Sequence, residues 1–102
     1  MYRMIVQYTH PADPDKFLAY YRDVHAPLAA GLPGLVSLDW VACETLDGSR
    51  APHFLIATLT WNSKADALAA LGSPQGKATT ADLANFTDPA TVAVDFGEVN
   101  PG

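Results

Sequence analysis

The sequence has little charge, and most of that charge is negative. Only 17% of its 102 residues are charged, and 6 lysines and arginines stand against 11 aspartates and glutamates, for a net charge of −5 and a pI near 4.8. An acidic chain repels phosphate backbones, and no basic cluster offsets this, so we expect no nucleic-acid partner. Because 49% of the residues are hydrophobic, the sequence predicts one folded domain over residues 1–102 rather than disorder.

Cysteine and long apolar runs are also scarce. Cys43 is the single cysteine, so no internal disulfide can form, and a reducing compartment suits it. No apolar run approaches the roughly 20 residues of a membrane span, and the first residues are too polar for a signal peptide. We therefore expect a cytoplasmic protein with no membrane association.

Several chemical motifs are missing as well. The chain has no glycine-rich nucleotide loop and no GxSxG motif, which argues against nucleotide cofactors and a serine hydrolase. Its three histidines, His10, His25 and His53, show no metal-ligand spacing. We therefore predict neither a metal site nor a cofactor. His10 is expected to be exposed in a turn, and His53 to lie at a strand end.

What is present is a regular apolar pattern. Alternating residues predict strands over 2–9, 35–44, 52–61 and 91–98, and three- and four-residue spacing predicts helices over 14–30, 62–71 and 73–84. Pro27 should end or bend the first helix near Ala26. The order βαββαβ predicts an α+β, ferredoxin-like fold with a four-stranded antiparallel sheet. Because these strands are apolar on both sides, two sheets should pack face to face in a homodimer.

The first predicted helix carries the best candidate for chemistry. Its apolar stripe is formed by Phe17, Tyr20, Tyr21, Val24 and Leu28. His25 lies four residues after Tyr21 and so shares a helix face with it. Histidine gains and loses a proton near neutral pH, which makes His25 the candidate acid–base catalyst, and a nearby helix end would favour its protonated form. A histidine that only satisfies free carbonyls at the helix end fits the same pattern.

Aromatic residues recur in or beside the predicted elements. Together they could line a pocket for a small hydrophobic molecule, although plain core packing is the better explanation for each of them taken singly. The candidate substrate-binding residues are Tyr8, Tyr21, Trp40, Phe54 and Phe86. Asp39 interrupts an apolar strand, so we expect it to be exposed or paired with a basic residue.

Two blocks of the sequence resemble the EthD family. The first comprises Phe17, Tyr20-Tyr21, His25-Ala26-Pro27-Leu28 and Leu32-Pro33-Gly34-Leu35, and the second Gly72-Ser73-Pro74-Gln75-Gly76 and Ala81-Asp82-Leu83-Ala84-Asn85-Phe86-Thr87-Asp88. The resemblance implies a subunit that dimerises into an α+β barrel, with a pocket between sheet and helices. It also implies a catalytic or ligand-contacting role for His25, while Phe86 and Asp88 could be functional or structural.

Three functions remain open at this point. The first is a cofactor-free enzyme that moves a proton on a small apolar or aromatic metabolite, as a lyase or isomerase, or as a monooxygenase acting on an electron-rich substrate. The second is a non-catalytic protein that binds a hydrophobic compound in a degradation pathway, since the family is named for ethyl tert-butyl ether degradation. The third is haem binding through His25, although no Arg/Lys pair is placed to hold the propionates.

Overall fold

The computed structural model describes residues 1–102 as four strands joined by helices. The strands are β1 (Tyr2–Tyr8), β2 (Ser37–Ala42), β3 (Leu55–Trp61) and β4 (Ala93–Glu98). They form one antiparallel sheet in the order β2-β3-β1-β4, which confirms the α+β, ferredoxin-like fold. The last strand begins later than predicted because Pro89–Thr91 forms a 3₁₀ turn ahead of it.

The first helical segment consists of α1 (Pro14–Tyr20), a π-helical turn (Tyr21–His25) and α2 (Ala26–Ala30). Asp13 caps α1, accepting a hydrogen bond from the Lys16 backbone N–H at 3.1 Å. The backbone N–H of Ala26 reaches back five residues to the Tyr21 carbonyl. The wider turn accommodates Pro27, which has no N–H to donate, so the helix continues through the proline instead of ending near Ala26.

The π-helical turn also changes which side chains face the sheet. It holds about one more residue than an α-helical turn, so everything after it is rotated around the helix axis. The buried side chains are Phe17, Tyr21, His25 and Ala29, whereas Val24 is 43% exposed. The predicted stripe through Val24 is therefore wrong, and His25 takes the inward position.

The second helical segment consists of α3 (Lys64–Gly72) and α4 (Pro74–Asp82), followed by a 3₁₀ turn (Leu83–Asn85). Ser73 separates the helices and caps α4 through the Gly76 backbone N–H at 3.1 Å. A Cβ on Gly76 would overlap the carbonyl oxygens of Ala70 and Leu71, so glycine permits this tight junction. The Gln75 side-chain amide donates to the Leu28 carbonyl at 2.8 Å, which ties α4 to α2.

The core lies between the helices and one face of the sheet. Trp61, Tyr8, Tyr21 and Leu55 are its largest fully buried side chains. The indole N–H of Trp61 donates to the Pro33 carbonyl at 3.1 Å. None of the helices combines the length and apolar character needed to cross a lipid bilayer.

The opposite face of the sheet is uncovered and mixed in character. Strand alternation places Arg3, Ile5 and Gln7 on this face of β1, and Asp39 and Val41 on it in β2. The prediction that both sheet faces are apolar is therefore wrong for the open one. Asp39 is exposed, which was one of its two expected environments.

Candidate active site

A buried histidine–aspartate pair joins the two helical segments. His25 lies on the π-helical turn and Asp82 is the last residue of α4, 57 positions later in the chain. The His25 Nδ1 and Asp82 Oδ2 atoms are 2.9 Å apart. His25 is 5% and Asp82 8% exposed, so the contact is shielded from solvent. A buried carboxylate has to be satisfied by nearby donors.

Asp82 obtains those donors from three directions. Its Oδ1 atom accepts from the Tyr20 hydroxyl at 2.6 Å and from the Asn85 side-chain amide at 2.9 Å. Burial alone would raise the pKa of the Asp82 carboxyl, but the hydrogen bonds from Tyr20, Asn85 and His25 outweigh it and hold that pKa below its usual value. Asp82 is therefore ionised at neutral pH.

The charge on Asp82 fixes the protonation pattern of His25. An ionised carboxylate only accepts hydrogen bonds, so His25 Nδ1 must carry the proton between them. In the neutral ring this leaves a lone pair on Nε2, which can accept a proton. The Phe86 ring packs against His25 with a centroid separation of 4.8 Å and restricts its rotation. His25 is thus both oriented and prepared to act as a base.

A cavity adjoins His25 between the helices and the sheet. Its volume is about 60 Å³, it is partly open to solvent, and 13 of its 17 lining residues are hydrophobic if Tyr8 and Tyr21 are counted among them. The other polar side chains in the lining are His25, Thr79 and Thr80. The two threonine hydroxyls donate to carbonyls of α4 at 2.8 and 3.1 Å. No lysine, arginine or carboxylate lines the cavity, which therefore suits an uncharged molecule.

Two tyrosine hydroxyls lie in the same cavity wall. Tyr8 and Tyr21 are each 1% exposed, and their rings meet edge to face at 5.6 Å. Burial raises the pKa of both phenols, and the neighbouring Tyr21 and Asp82 raise the pKa of Tyr8 further. Both hydroxyls consequently stay protonated at neutral pH and can act as hydrogen-bond donors.

The other predicted pocket residues lie outside the cavity lining. Trp40 packs edge-on against Tyr21 at 5.2 Å, and Phe54 packs against Phe17 at the same distance. Phe86 contacts His25 from outside the cavity and lines a shallow external groove. Only Tyr8 and Tyr21 of the predicted aromatic set reach the cavity, and the assignment of all five to substrate binding stays a prediction.

The other polar candidates, His10 and Asp88, make contacts that stabilise loops and turns. His10 was expected to be exposed, but it is half-buried, and its Nε2 lies 2.7 Å from the Ala51 carbonyl oxygen. Asp88 is exposed and caps the 3₁₀ turn after it by accepting from the Ala90 N–H at 3.0 Å. No three His, Cys, Asp or Glu side chains lie close enough together to hold a metal ion.

The functional residues that sequence reasoning missed are Asp82, which contacts His25, and the two other donors to Asp82. Asp82, Asn85 and Tyr20 all stand within the two blocks that carry the family resemblance. Asp82 and Asn85 are three residues apart, a spacing that places side chains on one helical face, and this signal was available. Nothing local relates either of them to His25, because the contact depends on how α4 packs against the first helical segment.

The fold and the buried dyad define a ferredoxin-like α+β protein with a small apolar site, and comparison with known proteins gives its family. The EthD domain model matches residues 9–90, so the chain belongs to the EthD family. A protein from Rhodococcus erythropolis, described as an uncharacterized 11.0 kDa protein in the thcB-thcC intergenic region, is 40% identical over 86 residues, which is 84% of each chain.

Several solved structures share the fold of this chain. An EthD family protein from Bacillus halodurans superposes with a TM-score of 0.90 at 24% identity, over 98% of this chain and 99% of that one. A dimeric ferredoxin-like protein of unknown function from Thermobifida fusca gives 0.73 at 14% identity, over 96% and 90%. SnoaB from Streptomyces nogalater, a cofactor-independent oxygenase, gives 0.70 at 15% identity, over 99% and 94%. At these identities the similarity shows the fold alone.

Proposed function

We propose that this EthD-family protein is an enzyme that catalyses proton transfer on a small, uncharged organic molecule, with His25 as general base and acid. The single observation that carries the proposal is the buried 2.9 Å contact between His25 Nδ1 and the ionised Asp82. It orients the ring and directs the basic Nε2 nitrogen away from Asp82, in a residue that lines an apolar cavity.

The reaction step follows from that arrangement. The Nε2 lone pair removes a proton from a carbon next to a carbonyl group, and the electrons of the broken C–H bond form the C=C bond of an enolate. The carbonyl oxygen takes up the negative charge. The imidazolium, stabilised by Asp82, then returns the proton to a carbon or an oxygen of the same molecule. An isomerisation of this kind needs no redox partner and no cofactor.

The cavity lining supports a substrate without a carboxylate or phosphate group. No cationic side chain lines the cavity to balance such a charge, and Asp82, immediately behind His25, would repel it. The apolar walls favour an aromatic or alicyclic ring. The cavity volume is only about 60 Å³ and the cavity is partly open, so only the reacting edge of such a ring would fit inside it.

Two other functions are weaker candidates. A protein that only binds a hydrophobic compound has no need for a base held by a buried carboxylate, and such a carboxylate is costly to bury. The oxygenase alternative uses the same first step, because a carbanion or phenolate formed by His25 could react with molecular oxygen. The fold shared with SnoaB is compatible with that chemistry, at an identity of 15%.

We further propose that the protein is a homodimer. The similar structure from Thermobifida fusca is described as dimeric, and so are two others that share the fold. The uncovered sheet face of this chain, which carries Ile5 and the 58% exposed Val41, offers a surface for a second copy. Light scattering coupled to size exclusion should give about twice the 10.9 kDa of one chain, and a mass near 10.9 kDa would contradict the dimer.

The proposed chemistry can be tested by hydrogen exchange. 2-Tetralone, a compact uncharged aromatic ketone, would be incubated with the protein in D₂O, and loss of the α-proton signals would be followed by NMR. We expect His25→Ala to reduce catalysed exchange by about 10²- to 10⁴-fold. His53→Ala is the matched control, since His53 lies outside the cavity lining and should leave exchange unchanged. Unchanged exchange in a folded His25→Ala protein would remove His25 from the mechanism.

A further inference from the structure

The hydroxyls of Tyr8 and Tyr21, called here the hydroxyl pair, have no hydrogen-bond partner in the protein. They are close enough to influence each other's pKa, but neither lies within hydrogen-bonding distance of an acceptor. Each hydroxyl carries one proton, so two donors are unused. Both side chains are only 1% exposed.

Neighbouring groups do not take up those protons. The oxygens of Asp82 accept from other donors, Oδ1 from Tyr20 and Asn85 and Oδ2 from His25. Although both hydroxyls lack a partner, neither is sealed off from open space, and Arg3 Nε is the single buried atom that is. The unused donors therefore border the cavity, which both tyrosines line.

The hydroxyl pair is well placed relative to the proposed base. Tyr21 precedes His25 by four residues across the π-helical turn, and their ring centroids are 5.4 Å apart. Tyr8 reaches the same place from β1, with its ring 5.6 Å from Tyr21. One small molecule in the cavity can consequently touch His25 and the hydroxyl pair at once.

We propose that the hydroxyl pair is an oxyanion-binding site, in which the hydroxyls of Tyr21 and Tyr8 donate hydrogen bonds to the ligand oxygen. The ligand class follows, because it must carry a carbonyl or phenol oxygen next to the atom that exchanges its proton with His25. This inference rests on the proposed function for its catalytic meaning, although the binding site itself does not depend on turnover. A donor aimed at a developing negative charge stabilises the transition state more than the ground state.

Binding of 4-nitrophenol tests the site without any reaction. At a pH at which this phenol is neutral, its O–H can donate to His25 Nε2 while its oxygen accepts from Tyr21. 4-Nitroanisole is the matched ligand, because its methylated oxygen has no proton to give and is a poorer acceptor. Calorimetric titration of the wild-type protein should show tighter binding of 4-nitrophenol than of 4-nitroanisole.

Three tyrosine variants separate the hydroxyl effect from loss of packing. Tyr21→Phe should weaken 4-nitrophenol binding by about tenfold and leave 4-nitroanisole binding nearly unchanged. Tyr8→Phe should have an effect in the same direction, because it removes the second donor to the same ligand oxygen. Tyr2→Phe is the control, since Tyr2 lies on the same strand as Tyr8 but stacks on Phe96 and does not line the cavity.

The results of these experiments distinguish failure of the oxyanion site from failure of the proposed catalysis. Equal affinity of wild type and Tyr21→Phe for 4-nitrophenol, or no binding by the wild type, would overturn the oxyanion site. Tyr21-dependent binding together with 2-tetralone exchange that does not depend on His25 would instead overturn the proposed catalysis and leave the binding site standing. A drop in exchange for Tyr21→Phe of the order of 10²-fold would support both.

Discussion

Asp47 and Asp82 are two carboxylates with similar hydrogen bonding and opposite surroundings. Asp47 Oδ1 accepts from the Thr45 hydroxyl at 2.9 Å, the Ser49 hydroxyl at 2.7 Å and the Ser49 backbone N–H at 3.0 Å. Hydrogen bonds from Ser49 lower the pKa of Asp47 to about 2. Asp82 also has three donors and a lowered pKa. Asp47 is exposed in a loop, whereas Asp82 is buried beside a cavity.

The difference between the two carboxylates lies in where their donors come from. Every donor to Asp47 is within two residues of it, so the loop closes on itself as an ordinary turn. Two of the donors to Asp82 are Tyr20 and His25, which are 62 and 57 residues away. A lowered pKa alone therefore does not mark a functional site. Burial and partners supplied by the tertiary fold distinguish Asp82.

The largest expected effect is a loss of catalysis in Asp82→Asn, for which Asp47→Asn is the control. An amide at position 82 has one oxygen and one NH₂ group in place of two oxygens. It therefore cannot accept hydrogen bonds both from Tyr20 and Asn85 and from His25 Nδ1, and the protonation pattern of His25 is lost. We expect 2-tetralone exchange to fall by about 10²- to 10⁴-fold for Asp82→Asn and to stay unchanged for Asp47→Asn. Equal rates in the two variants would show that Asp82 does not position His25.

The second effect is on stability, and alanine substitutions reveal it. Asp82→Ala leaves the Tyr20 hydroxyl, the Asn85 amide and the His25 N–H without their acceptor inside the protein. We expect the free energy of unfolding to fall by about 2–3 kcal/mol. Asp47→Ala should move the urea midpoint only slightly, because water replaces the carboxylate. Similar urea midpoints for the two variants would show that the buried Asp82 stabilises the fold no more than the exposed Asp47.

A third comparison removes one hydroxyl donor from each carboxylate. Tyr20→Phe should raise the pKa of Asp82 towards its usual value, and Thr45→Ala should raise that of Asp47 from about 2. Carboxyl carbon chemical shifts followed by NMR titration measure both. Only Tyr20→Phe should also slow 2-tetralone exchange, by several-fold, since only Asp82 contacts His25. A fall in exchange for Thr45→Ala would contradict this separation.

Much of the architecture could be predicted from the sequence, because strand alternation and turn residues act locally. The order βαββαβ, the Asp13 cap and the Ser73 cap follow from residues that are adjacent in the chain. The helical spacing left the position of His25 ambiguous, because His25 shared a face with Tyr21 while the apolar stripe was predicted to continue through Val24 and Leu28. The extra residue of the π-helical turn places His25 and Ala29 on the buried face.

The candidate site was predicted in part. His25, Tyr8 and Tyr21 were identified from residue type and position, and the cavity adjoins all three. Asp82 was not identified, although it lies in the second block that carries the family resemblance. Its role depends on the approach of α4 to the first helical segment, which Gln75 and Gly76 help to set. Contacts over 57 residues have no local signal, so only the tertiary structure shows them.

The smallest expected effect is on the acid sensitivity of folding. Because the pKa of Asp82 is lower in the folded than in the unfolded chain, the unfolded chain binds more protons in acid, and stability rises with pH there. The contribution of Asp82 is complete above the unfolded value of about 4 and is lost as the pH falls through the folded value. The difference in unfolding free energy between wild type and Asp82→Asn should therefore shrink on acidification from pH 7 to pH 2, as measured by urea unfolding. Asp47→Asn should show a trend of the same sign, because hydrogen bonds also lower the pKa of Asp47 in the folded chain. A difference for Asp82→Asn that is independent of pH would mean that its carboxyl does not ionise more readily in the folded protein.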